Sequence, residues 1–176
     1  EDVIRQYRDV LKLNGDVVRG KESFKKVCSA CHQLEGVGTV VGADGGNLHQ
    51  FFPPGGGVCL IAMWKVFNEL KEIGWIKGAL PRMVAVQSTG CGPIVRAFDA
   101  GERDVVEPWQ NVTTNVHGVR VPSPLGGAMV LDVLYQSNGF GTAVDDDAVH
   151  AARAKICAEE GFHMCPEGAA CVVALE

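Results

Sequence analysis

The stretch Cys28-Ser29-Ala30-Cys31-His32 contains the residues of this sequence that are best suited to chemistry. Two cysteines three positions apart, with a histidine directly after the second, form the attachment signature of c-type haem. Each thiol can add to one vinyl group of haem, and the adjacent histidine can then coordinate the iron. We therefore predict that Cys28 and Cys31 form the haem thioethers and that His32 is an axial iron ligand.

Two other interpretations of this cysteine pair are open. A structural zinc site needs four ligands and usually a second closely spaced pair. A thioredoxin-like dithiol has the same spacing but does not account for His32. The remaining cysteines are scattered and supply no second pair: Cys59, Cys91, Cys157, Cys165 and Cys171. Haem attachment is the interpretation that uses all three residues of the motif.

Met63 is a candidate for the second iron ligand. Haem proteins that carry electrons usually offer the iron a second protein ligand, which is often methionine. Met63 also recurs with Leu60 and Phe67 at helical spacing, which is typical of a side chain that fills a hydrophobic core. The sequence favours the core-filling interpretation, because Met63 lies on the helix face that is expected to pack on a sheet.

The residues around the haem motif follow a recognisable order. Gly20 and Phe24 precede the motif, and the turn-like stretch Val41-Gly42-Ala43-Asp44 follows it. In this order residues 15–48 resemble the haem-binding cytochrome c domains of planctomycete-type bacterial proteins, which carry proline where this chain has Ala43. The resemblance implies a short, mostly helical segment that binds haem c and exchanges electrons with a redox partner protein. Such a segment is periplasmic once the haem is attached.

The composition limits the classes of function. The chain has 176 residues, which is enough for one or two domains. Its formal net charge of -5 gives no basic surface for nucleic acid. No apolar run approaches the roughly 20 residues that cross a bilayer. We therefore expect neither a nucleic-acid partner nor a membrane span, and the oligomeric state is left open. The start at Glu1 is typical of a fragment or a processed product.

A glycine-rich loop lies in the middle of the chain. Pro53-Pro54-Gly55-Gly56-Gly57 directly precedes a stretch with helical periodicity. Three glycines let backbone N–H groups approach an anion, and a helix N-terminus adds partial positive charge. The alternative is a flexible linker, because residues 44–57 are dense in the glycine and proline that punctuate structure.

After this loop, the pattern predicts helices that alternate with short strands. Helical periodicity is followed by a β-branched run, a helix opened by proline, an extended stretch, a second apolar helix, a buried strand and a helix capped by three aspartates. The corresponding residues are 60–74, 83–86, 93–98, 118–122, 125–135, 141–144 and 145–160. This alternation predicts an α/β fold with a parallel sheet and flanking helices.

Several blocks of the same region resemble threonine synthase and its pyridoxal-phosphate relatives of fold type II. The blocks are collinear and include residues 53–65, 81–87, 90–98, 118–122 and 165–170. The resemblance covers residues 53–176 and corresponds to the C-terminal half of the family. It implies that Gly55, Gly56, Gly57 and Val58 hold the phosphate of pyridoxal phosphate, although the family usually carries Thr-Gly where this chain has Val58-Cys59. Intact family members convert O-phosphohomoserine to threonine.

The resemblance also implies a Schiff-base lysine in the N-terminal half of the family. None of the lysines before the glycine loop lies in a matching motif: Lys12, Lys21, Lys25 and Lys26. Without that lysine the covalent link to the cofactor cannot form. We therefore do not expect threonine synthase activity from this chain alone.

These observations divide the chain into a cytochrome c-like segment at residues 1–48, a junction with the glycine loop at 49–57, and a threonine synthase-like α/β segment at 58–176. The principal hypothesis is haem binding and electron transfer by the first segment, fused to an enzyme-like segment that is inactive alone. One alternative is a cytoplasmic threonine synthase fragment that uses pyridoxal phosphate. Another is a chimaeric or truncated product without integrated activity.

Overall fold

A computed structural model describes residues 33–34, 37–38, 49–105 and 107–175. The chain divides into two compact units, Glu1–Ala43 and Asp44–Glu176, and each is described by itself. In the first unit, strand β1 (Gln33–Leu34) pairs antiparallel with strand β2 (Val37–Gly38). The helix expected before the haem motif lies outside the described residues, as do Cys28, Cys31 and His32.

The second unit alternates strands and helices, as the sequence pattern predicts. Its elements are β3 (His49–Phe52), α1 (Val58–Glu72), β4 (Arg82–Ser88), α2 (Pro93–Asp99), a 3-10 helix (His117–Val119), α3 (Gly127–Gln136), β5 (Phe140–Val144), α4 (Asp146–Glu160) and α5 (Pro166–Val173). Residues 118–122 are not a strand, because the chain there turns through the 3-10 helix.

The strands of this unit form a parallel sheet in the order β3-β4-β5. The central strand β4 is buried from Met83 to Ser88, which explains its continuous apolar sequence. Strand β3 pairs along its length with β4, with Phe52 opposite Ala85. Residues 49–52, which the sequence pattern places in the junction, are therefore part of the sheet.

Helices cover both faces of the sheet. Because successive side chains of β4 point to opposite faces, this strand contributes to a hydrophobic core on each side. On one face, Met83 and Ala85 join buried side chains of α1, α2 and α3, including Leu60 and Leu131. On the other face, Val84 and Val86 join buried side chains of the 3-10 helix and the residue before it, of α4 and of α5: Val116, Val119, Val149, Ala169 and Ala170. The predicted α/β fold with a parallel sheet and flanking helices is confirmed.

Among the described residues, no helix is both long enough and apolar enough to span a membrane.

Candidate functional site

The glycine loop joins the end of strand β3 to the start of helix α1. Phe52 is the last residue of the strand, and Val58 is the first residue of the helix. Gly57 takes the cap position before α1 with φ 92°, a left-handed conformation that residues with a Cβ atom rarely adopt. The loop therefore places the N-terminus of a 15-residue helix at one edge of the sheet.

Two glycines of this loop are required by close packing. A Cβ atom placed on Gly57 would lie 2.5 Å from Cγ2 of Val130, and one placed on Gly55 would overlap the carbonyl oxygen of Gly118. At Gly56 an added Cβ would meet no atom within 4 Å. The loop is therefore a packed part of the fold, whereas a flexible linker would have no such close contacts.

This arrangement fits a phosphate group. The first backbone N–H groups of a helix have no partner within the helix and carry partial positive charge. In α1 they are not capped by a side chain, because the cap residue is Gly57, and the first turn holds no acidic residue. The loop and Gly118 line a cleft of about 210 Å³. An anion needs hydrogen-bond donors and open space, and it binds best where the first turn of the helix carries no negative charge. The start of α1 meets these requirements.

The cleft contains no lysine that could form a Schiff base with the cofactor. Its lining consists of residues 52–60 and Gly118, and none of them is a lysine. Lys65 lies further along α1, where it pairs with Glu69 at 3.1 Å. The described part of the chain therefore offers backbone donors suited to an anion but no lysine in the lining of that cleft.

A buried glutamine ties the glycine loop to helix α2. The Gln87 side chain is fully buried near the end of β4, and its Oε1 accepts hydrogen bonds from the N–H groups of Ile94 (2.9 Å) and Val95 (3.1 Å). Its Nε2 donates to the carbonyl oxygen of Pro54 at 3.4 Å. One amide therefore caps α2 and anchors the start of the loop.

Replacement of Gln87 by alanine is expected to destabilise the protein by about 2 kcal/mol, since it leaves buried N–H groups of α2 without an acceptor. Urea unfolding of the full chain measures this loss. The matched control is Gln110→Ala, because Gln110 is exposed and its side chain donates a long hydrogen bond to the Pro108 carbonyl oxygen at 3.4 Å. Equal stability of the two variants would contradict the anchoring role.

A second polar network lies where β4 and β5 end. Asp146 Oδ1 accepts hydrogen bonds from the hydroxyls of Ser88 (2.7 Å) and Thr114 (2.9 Å), and its Oδ2 accepts from the N–H of Asn115 (2.7 Å). The Ser88 hydroxyl in turn accepts a hydrogen bond from the N–H of Gly90. The Thr114 hydroxyl accepts one from the N–H of Val116. One carboxylate thus joins strand β4, the loop at residues 113–116 and helix α4.

The network sets the ionisation of Asp146. Burial opposes ionisation, but the hydrogen bonds from Asn115, Ser88 and Thr114 outweigh it and hold the pKa below the ordinary aspartate value. A small polar cleft lies beside the carboxylate, lined by residues 89–90, 113–114 and 145–147. Within the described residues, no group of three or more His, Cys, Asp or Glu side chains could hold a metal ion.

The structure brings some of the predicted residues together and not others. Gly55, Gly56, Gly57 and Val58 line one cleft, and their role in holding a phosphate stays a prediction. Met63 packs against the hydrophobic core that contains Leu60 and Leu131, and its role as an iron ligand stays a prediction. Haem attachment at Cys28, Cys31 and His32 lies outside the described residues and stays a prediction.

Sequence reasoning missed the residues that support the glycine loop and the polar network at the end of β4. Gln87, Gly118 and Asp146 act through partners that are distant in sequence, so no local spacing reveals them. The position of Glu167 at the start of a helix predicts only a stabilising effect on that helix. In the structure, Cys165 is the N-cap of α5, and the Glu167 carboxylate bonds the N–H of Gly118 at 2.7 Å.

Two curated threonine synthases are similar in sequence to this chain. Threonine synthase of Methanocaldococcus jannaschii is 32% identical over 124 residues, which are 70% of this chain and 30% of that protein. Threonine synthase of Methanosarcina acetivorans is 31% identical over 123 residues, with the same coverage. The chain thus spans about a third of the length of the curated relatives it matches.

A solved structure shows the same fold. The structure of maize serine racemase superimposes with a TM-score of 0.52 and 22% sequence identity, over 74% of this chain and 37% of that chain. Residues 39–176 match the family described as pyridoxal-phosphate dependent enzyme. With most of its length in that match, this chain belongs to the family of pyridoxal-phosphate dependent enzymes.

Proposed function

We propose that this chain carries the phosphate-binding part of a pyridoxal-phosphate dependent enzyme of the threonine synthase type. The observation that supports the proposal is the packed loop of Gly55, Gly56 and Gly57, which directs the uncapped N-terminus of α1 into an open cleft. Pyridoxal phosphate, when bound, supplies an electron sink for carbanion chemistry at the substrate.

The chain's own residues bind and orient the phosphate. Backbone N–H groups at the start of α1, from Val58 to Leu60, donate hydrogen bonds to the anion, and the helix dipole adds favourable charge. Gly57 permits the left-handed turn that directs these donors. Gln87 holds the loop through Pro54, and Gly118 supports it beside Gly55.

We propose that the intact protein acts on O-phosphohomoserine, as the resemblance to threonine synthase implies. The lysine that holds the cofactor covalently must then come from outside the residues that line the described cleft. This proposal concerns the whole protein, since the match covers about 30% of the length of each of these curated relatives. It also replaces haem binding as the principal function.

Calorimetric titration of the full chain with pyridoxamine 5'-phosphate tests the proposal. This probe lacks the aldehyde and cannot react with surface lysines, so the signal reports the phosphate cradle. We expect pyridoxamine 5'-phosphate to bind, inorganic phosphate to compete with it, and pyridoxamine without phosphate to bind at least about tenfold more weakly. Equal binding of the two pyridoxamines would refute a phosphate site.

Haem attachment is the second candidate function, and the Cys28-to-His32 motif carries it. The intact mass of the chain, produced in a host that attaches haem, is expected to increase by one haem, and the paired Cys28→Ala and Cys31→Ala variant is expected to stay unmodified. An unmodified mass for the unaltered chain would remove this candidate.

A further inference from the structure

Two residues from distant parts of the chain, Gly118 and Glu167, are stacked behind Gly55 of the glycine loop. A Cβ atom on Gly55 would overlap the carbonyl oxygen of Gly118, and a Cβ atom on Gly118 would lie 2.6 Å from Cγ and Oε1 of Glu167. Neither glycine therefore has room for a side chain. The position of Glu167 limits where Gly118 can lie, and the position of Gly118 limits where Gly55 can lie.

Glu167 is itself held by a well-anchored helix. It is the second residue of α5, after Pro166, and α5 is packed into the core through Ala169 and Ala170, which are 0% and 1% exposed. The Glu167 carboxylate reaches from this helix to the 3-10 helix and accepts the N–H of Gly118 at 2.7 Å. A rigid element thus supports one wall of the cleft through a single hydrogen bond.

We infer that Glu167 is a positioning residue for the phosphate cradle: its carboxylate holds Gly118 in place, and Gly118 holds the glycine loop at Gly55. The inference rests on the proposed function in so far as the cradle binds phosphate. Glu167 does not line the cleft, so it acts through Gly118 rather than on the ligand. A preorganised loop binds its ligand more tightly, because less motion is lost on binding.

Glu167 is ionised, and its negative charge is stabilised by its surroundings. Burial opposes ionisation, but hydrogen bonds from its own N–H and from the N–H of Gly118 outweigh it and keep the pKa below the ordinary glutamate value. The α5 N-terminus also favours a negative charge at this position. The loop requires a hydrogen-bond acceptor for the N–H of Gly118 at this position. A glutamine side chain can supply that acceptor without the charge.

The test compares three variants of the full chain by calorimetric titration with pyridoxamine 5'-phosphate. We expect Glu167→Ala to lose at least about tenfold in affinity and Glu167→Gln to stay within about threefold of the unaltered chain. Val173→Ala is the matched control, because Val173 lies on the same helix, packs against the same core and does not line the cleft. Its affinity is expected to be unchanged.

A measurement without ligand separates this inference from the proposed function. The amide proton of Gly118, observed by NMR, is expected to move upfield in Glu167→Ala and to stay near its original position in Glu167→Gln, because only the first loses the acceptor. An unmoved Gly118 amide in Glu167→Ala would overturn the inference, as would unchanged affinity in that variant or equally weak affinity in both Glu167 variants. Failure of the unaltered chain to bind the probe would instead refute the proposed function.

Discussion

Replacement of Val58 by glutamate is expected to weaken phosphate binding at the glycine loop by about 30- to 1,000-fold while helix α1 stays intact. Val58 is the first residue of α1, lines the cleft and is 75% exposed, so a longer side chain meets no packing barrier. A carboxylate at the first helical position interacts favourably with the helix dipole and stabilises the helix by about 0.3–1 kcal/mol. The same carboxylate repels an anion that binds the helix N-terminus.

The size of this effect follows from Coulomb's law. A negative charge about 4–5 Å from a dianionic phosphate costs about 2–4 kcal/mol at a partly solvated site, which is about 30- to 1,000-fold in affinity. Calorimetric titration with pyridoxamine 5'-phosphate measures the loss, and thermal unfolding measures the stability.

Val58→Gln is the matched control, because it has nearly the same size and no charge. We expect it to bind within a few fold of the unaltered chain, and we expect the difference between the two variants to shrink as salt is raised. Equal binding by the glutamate and glutamine variants would show that the phosphate lies elsewhere.

Replacement of Asp146 by alanine is expected to give the largest loss of stability, about 3–4 kcal/mol. The change removes a charged acceptor from Ser88, Thr114 and Asn115 together, and it leaves two buried hydroxyls without their partner. Urea unfolding at neutral pH measures the loss.

The neighbouring aspartates are matched controls for this variant. Asp145 caps α4 by accepting the N–H of Asp147 at 2.9 Å, so Asp145→Ala is expected to cost about 1 kcal/mol. Asp147 is exposed, and its removal is expected to change stability by less than about 0.5 kcal/mol. Similar losses for all three variants would contradict a specific role for Asp146.

The contribution of Asp146 should also depend on pH in a defined direction. Because its pKa is lower in the folded state than in the unfolded chain, the stabilisation from ionisation is fully present above about pH 4. It is lost as the pH falls below that value and through the folded-state pKa. The stability of Asp146→Ala should therefore depend less steeply on acid pH than that of the unaltered chain.

Much of the fold was predictable from the sequence because the helices and the central strand have strong local patterns. The apolar run of β4, the amphipathic spacing of α1 and the aspartates before α4 each identify an element. Strand β3 was missed, because its four residues stand beside a loop rich in glycine and proline. The prediction of an extended stretch at 118–122 was wrong, because the chain turns there and no strand pairs with it among the described residues.

The candidate site was predictable only in its local part. Three consecutive glycines before a helix indicate an anion site from sequence alone. The supports of that site depend on contacts between residues far apart, such as Gly118 with Glu167 and Gln87 with Pro54. A buried glutamine or a helix-start glutamate has no local signature that identifies its distant partner. These residues required the folded structure.

The most direct test of the phosphate cradle is an NMR titration of the full chain with pyridoxamine 5'-phosphate. We expect the largest amide shifts at residues 55–60 and at Gly118, and we expect Val58→Glu to lose them. Unmoved loop amides, with the shifts instead at residues 89–90 and 113–115 beside Asp146, would contradict the account.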